Sequence, residues 1–143
     1  MGKFILGAAF FLCMIFWFMG TAAADEITTL DADHHLHVSF SNFARDRIDL
    51  LNNNFSGRPD KLLLEQRGGA FVSSYRQAAP GSLEVLVRKT GCKTSPFIGV
   101  MRYTKRTFES NGGCLESSSL GPFIVVRKRN VTEIFRYDRN QWR

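Results

Sequence analysis

From Phe40 onward, apolar residues fall at positions 40, 43, 44, 48, 51 and 55. Steps of three and four place them on one stripe of a helix, which the spacing predicts over residues 41–54. Arg45, Asp46, Asp49 and Asn52 take most of the opposite side. Ser39 or Ser41 supplies a side-chain oxygen for the first free backbone N–H groups. Asn52-Asn53-Asn54, followed by Gly57 and Pro59, ends the helix.

Beyond Pro59 the period changes to two. Lys61 to Gln66 is a short apolar run that periodicity alone does not assign, and Gly68-Gly69 breaks it. Ala70 to Gln77 alternates, and so does Ser82 to Lys89, where Leu83, Val85 and Val87 point one way and Glu84 and Arg88 the other. Ala79-Pro80-Gly81 lies between them as a turn signal, so the two runs read as a hairpin. Phe97 to Glu109 is a long run rich in β-branched and aromatic residues. A polar loop from Ser110 to Pro122 follows, then Phe123–Val126 and Val131–Tyr137 as a last strand pair around Arg127-Lys128-Arg129-Asn130. The expected fold is therefore α+β: one N-terminal helix packed on a curved four- to five-stranded antiparallel sheet. This order of elements resembles the cystatin-like and cone-shaped α+β rolls. The resemblance is one of layout, and no function follows from it.

The start of the chain has a different character. Lys3 precedes an almost unbroken apolar run from Phe4 to Met19, and Ala22-Ala23-Ala24 stands directly before Asp25-Glu26. A positive start, an apolar middle and small residues at the boundary are the pattern of a cleaved secretory signal peptide over residues 1–24. Cys13 follows Phe10-Phe11-Leu12, too bulky for lipidation of that cysteine. The expectation is an exported protein, periplasmic or secreted, with no stable membrane anchor after cleavage. Residues 25–40 read as an extended N-terminal segment and 41–143 as a single α+β domain. The 119 residues left after cleavage suit one modest core.

Charge sharpens the picture. Cleavage removes Lys3 and no acidic residue, so the net charge falls from +6 to +5. Residues 25–67 carry 8 acids against 5 bases, and residues 68–143 carry 5 acids against 13 bases. A basic second half attracts anionic surfaces through its summed field. Within it, Arg102 and Arg106 share one face of the long strand, and Arg88 and Arg136 are placed to flank them on other strands. The planar fork of arginine suits phosphate, sulfate and carboxylate. These four residues form the anion-binding candidate. Tyr103 and Phe108 do not both lie on that face, so the aromatic–basic alternation of a single-stranded nucleic-acid platform is incomplete.

Three other chemistries have candidate residues. Asp31 to Phe40 reads DADHHLHVSF and holds all three histidines. If this segment is extended, Asp31, Asp33, His35 and His37 face one way, a donor set suited to Zn²⁺ or Cu²⁺. Asp33, His35 and His37 are the core of that metal candidate. Cys92 and Cys114, the two cysteines outside the leader, are expected to bridge in an oxidising compartment, contributing about 3 kcal/mol in the chain-entropy model. A straight strand from Phe97 to Glu109 would span roughly 43 Å between them, so the bridge requires a bend or a folded-back loop. No serine sits in a Gly-x-Ser-x-Gly elbow, so no catalytic residue is assigned. Asn54-Phe55-Ser56 and Asn130-Val131-Thr132 fit the N-glycosylation pattern. Together these features predict a non-enzymatic binding domain with an anionic ligand or a protein partner. A small hydrolase such as a nuclease is the alternative.

Overall fold

The computed structural model of the chain describes residues 27–143; the leader predicted over 1–24 lies outside them. The elements are β1 (Thr28–Thr29), α1 (His35–Asn54), β2 (Leu63–Arg67), β3 (Ala70–Ala78), β4 (Glu84–Lys89), β5 (Phe97–Gly112), α2 (Leu115–Leu120), β6 (Ile124–Asp138) and β7 (Gln141–Trp142). All strand pairs are antiparallel. Seven strands among the described residues make one sheet, and the single long helix is an addition to it. The expected helix on a four- to five-stranded sheet is thus corrected to a sheet-dominated fold.

The physical reason lies in where backbone hydrogen bonds go. Ser110 to Gly112, read as the start of a loop, remains in β5 because Phe71 to Ser73 pair with it. Arg127 to Asn130, read as a turn, pairs with Thr104 to Thr107, so β6 runs unbroken through its charged centre. β3 and β4 do not form a hairpin either. Both pair with β5, β4 along residues 97–102 and β3 along 105–112, and so lie end to end on one side of it. A single 3₁₀ turn, Pro80–Ser82, carries the chain from one to the other. The polar loop before β6 contains α2, docked through Ser118 Oγ at 2.8 Å from Ser73 Oγ.

α1 begins six residues before the predicted start. His34 caps it, with Nδ1 accepting from the Leu36 backbone N–H at 3.2 Å, and Ser41 sits inside, donating back to the His37 carbonyl at 2.8 Å. Leu36, Phe40, Ala44 and Ile48, spaced by four, form its buried stripe. That stripe packs on β5 residues of odd number and on their row-mates, with Val87, Met101 and Tyr103 beneath it. At Gly99 a Cβ would fall 2.5 Å from the Phe40 ring, so glycine is what lets the helix approach the strand. Trp142 closes the core from the chain end. Arg139 and Asn140, both with positive φ, turn β6 into β7, and the indole ring lies tilted against Phe40 and Tyr137, with centroids 4.7 and 4.9 Å away.

Cys92 and Cys114 are both exposed and are not bridged to each other. They lie beyond opposite ends of β5, whose 16 residues make a chain path of about 50 Å between them.

Candidate functional site: an open basic groove on the helix-bearing face

Strand side chains alternate, so β5 has two faces. On the odd-numbered face, Gly99, Met101 and Tyr103 lie under α1, but Lys105, Thr107 and Glu109 extend past the end of the helix. There the sheet opens into a cavity of about 570 Å³. β2 contributes Glu65 and Arg67, β3 contributes Arg76, β5 contributes Lys105, and β6 contributes Arg127 and Arg129.

The register puts the cations close together. Lys105 stands directly opposite Arg129 across the β5–β6 pair, and Thr107 one step along lies between Arg76 on β3 and Arg127 on β6. Like charges opposed in this way destabilise a sheet. The carboxylates of the groove do not relieve them. Glu65 is 2.7 Å and Glu109 3.3 Å from the Arg67 guanidinium, whose pKa is raised by the hydrogen bond to Glu65 and then by the charge of Glu109. Among the described residues, Arg76, Lys105, Arg127 and Arg129 have no carboxylate within ion-pair distance. Lys105 carries the consequence: burial, then Arg76 and Arg129, hold its ammonium below the ordinary lysine pKa. Its Nζ rests 4.6 Å above the Phe55 ring, at the C-terminal cap of α1.

The border with the helix-covered half is a hydrogen-bonded clamp. Tyr103 donates its hydroxyl to Glu133 at 2.8 Å, and Arg47 of α1 donates to the other oxygen of Glu133 at 3.3 Å. Burial, followed by the Glu133 hydrogen bond, pushes the Tyr103 pKa up to about 12.

The four arginines chosen from sequence lie elsewhere. Arg88, Arg102, Arg106 and Arg136 do share one face, as their parity requires, but it is the outer face, away from α1. Arg88 and Arg136 flank Ile98 in one row, Arg102 stands opposite Glu84, and Arg106 stands opposite Lys128. From the Ile98 row to Arg106 is eight residues, about 26 Å, so the four do not converge on one ligand. The groove cations were legible as the opposite parity on the same strands. The signal is the change from Met101 and Tyr103 to Lys105 on one face, which marks where the helix cover ends.

The histidine segment also differs from its expected geometry. An extended Asp31–Phe40 would align Asp33, His35 and His37, but the helix takes over at His35 and ends the alternation. His34 and His35 stack at 4.5 Å, and His37 Nδ1 lies 3.5 Å from Ser41 Oγ. No three His, Cys, Asp or Glu residues among those described gather as metal ligands. These histidines mark the N-terminal end of α1, whereas Phe55 at the other end touches Lys105. A 20-residue helix, about 30 Å long, therefore separates imidazole from the basic groove. Imidazole and the groove arginines are therefore not brought together; the carboxylates beside those arginines are Glu65 and Glu109, both held by Arg67.

The fold and groove define a class: an antiparallel sheet with one end of a face under a helix and the other end open and basic. Compared with known proteins, the chain matches no family model, no curated protein and no solved structure.

Proposed function

We propose that this is an exported, periplasmic or secreted, non-enzymatic binding domain whose groove takes an anionic ligand bearing phosphate, sulfate or carboxylate groups. The observation that carries this reading is the opposition of Lys105 and Arg129, with Arg76 and Arg127 in the next row, in a concavity whose two carboxylates are held by Arg67. Four cations held close together without counter-charge cost stability, and an anion between them removes that cost. Among the described residues the groove lining contains no aromatic ring, which favours recognition of charge over stacking of bases.

Inorganic pyrophosphate is a suitable probe by calorimetry at low salt. Arg76→Ala/Arg129→Ala is expected to weaken binding about tenfold or more, while Arg88→Ala/Arg136→Ala stays within about twofold of wild type. Affinity also falls as pH rises through the titration of Lys105, because the ligand loses one of its cations. Loss of affinity in the outer-face variant instead, or no binding by the wild type, would refute the assignment.

A further inference from the structure

The groove does not account for the end of the molecule beside it. α2 and the first residues of β6 expose Leu115, Leu120, Ile124, Val125 and Val126, with Leu120 at 81% and Ile124 at 60% of full exposure. Monomeric proteins tolerate single exposed apolar residues, but a contiguous set marks an interaction surface. Four of them, Leu120 and Ile124 to Val126, fall within seven residues of chain. Val125 opposes Phe108 on the outer face, and Ile124 opposes Glu109 on the groove face. Val126 between Val125 and Arg127 is the extra residue of a bulge, and it lines the groove. The apolar side chains therefore leave the first residues of β6 on both sides, as a tip.

A collar of positive charge follows immediately. Arg127 and Arg129 face the groove with Lys105, while Lys128 faces outward opposite Arg106. A ligand confined to the concave face would use the first three and leave the last two unexplained. Glu116 is the one carboxylate between Ser110 and Thr132. An apolar tip with cations on both sides of it matches one kind of surface in particular. Anionic phospholipid headgroups attract the collar, and the tip enters the boundary between headgroups and acyl chains.

We infer that the α2–β6 end is a peripheral docking site for anionic lipid bilayers, with Leu120 and Ile124 inserting and Arg127, Lys128 and Arg129 holding the headgroups. No described helix is long and apolar enough to cross a bilayer, and the contact inferred here is interfacial. The inference rests on the anion-binding reading of the groove only for the share of headgroup attraction that Arg127 and Arg129 supply.

The test uses sedimentation with vesicles of pure phosphatidylcholine and of phosphatidylcholine containing phosphatidylglycerol. Wild-type protein is expected to bind only the anionic vesicles, less tightly as salt screens the collar. Leu120→Ser/Ile124→Ser changes exposed side chains, so folding is expected to survive; vesicle affinity is expected to fall about tenfold while pyrophosphate affinity stays unchanged. Unchanged vesicle binding by that variant overturns the inference, as does failure of the wild type to bind anionic vesicles. A wild-type dimer that the double substitution dissociates, without vesicle binding, overturns it in favour of a second copy on the tip. Loss of pyrophosphate binding alone counts against the groove and leaves the tip standing.

Discussion

The two ends of the odd-numbered face of β5 belong to one strand and meet opposite solutions. Under α1, Gly99, Met101 and Tyr103 are buried against Phe40, Ala44 and Ile48. Past the helix, Lys105, Thr107 and Glu109 face a cavity with cations gathered around it. The first end is arranged for stability: close packing, a glycine where the ring needs room, and a clamp from Tyr103 through Glu133 to Arg47. The second accepts a penalty, because Lys105 and Arg129 oppose each other without counter-charge. A strand of about 50 Å is longer than an α1 of about 30 Å, so a single helix leaves part of the face uncovered. The uncovered part is where sequence is released from packing and carries charge.

The contrast predicts a steep gradient of mutational cost. Phe40→Ala, at a fully buried side chain that touches Phe135 and Trp142 as well as the glycine of β5, is expected to destabilise by about 3–5 kcal/mol in urea unfolding. A change below about 1 kcal/mol would mean that the helix-covered end is not the core.

Tyr103→Phe lies at the border and is expected to cost about 1–2 kcal/mol at neutral pH, as Glu133 loses a donor. It also changes the alkaline limb of stability. The Tyr103 pKa is raised on folding, from 10.0 to about 12, so its neutral form is preferred in the native state. Stability from this preference is complete below pH 10 and is lost as pH rises from there to about 12. Thermal unfolding across that window should fall more steeply for wild type than for Tyr103→Phe; equal slopes would show that the clamp does not couple to titration.

At the open end the expected cost is least. Arg129→Ala should alter stability by no more than about 0.5 kcal/mol, and in the stabilising direction, because it relieves Lys105. The same substitution should raise the Lys105 pKa, observable by NMR of the side-chain ammonium. A destabilised variant, or a Lys105 that titrates as before, would remove the like-charge contact from the account.

The parts of this arrangement legible in the sequence are those set by periodicity. The apolar stripe of α1 and the alternation of β4 and β5 fix which side chains share a face. Alternation does not say which strand is the neighbour. Hence β3 and β4 were expected to pair with each other, although both pair with β5, and the charged centre of β6 was expected to turn. The start of α1 was placed too late because Asp33, His34 and His35 before Leu36, with His37 and Ser39 after it, hide the step from Leu36 to Phe40 among polar residues. Parity alone also grouped Arg88, Arg102, Arg106 and Arg136 correctly on one face. It carries no information about which face the helix covers, and the four lie on the face away from α1. The disulfide between Cys92 and Cys114 was expected from compartment chemistry, and the unbroken length of β5 keeps the two apart.

The most direct test of the central claim maps backbone amide shifts during a pyrophosphate titration of ¹⁵N-labelled protein. Saturable changes are predicted at Arg76, Lys105, Thr107, Arg127 and Arg129, fading toward Val87, Gly99 and Met101 beneath the helix. Changes centred on Arg88, Ile98 and Arg136, or none that saturate, would contradict it.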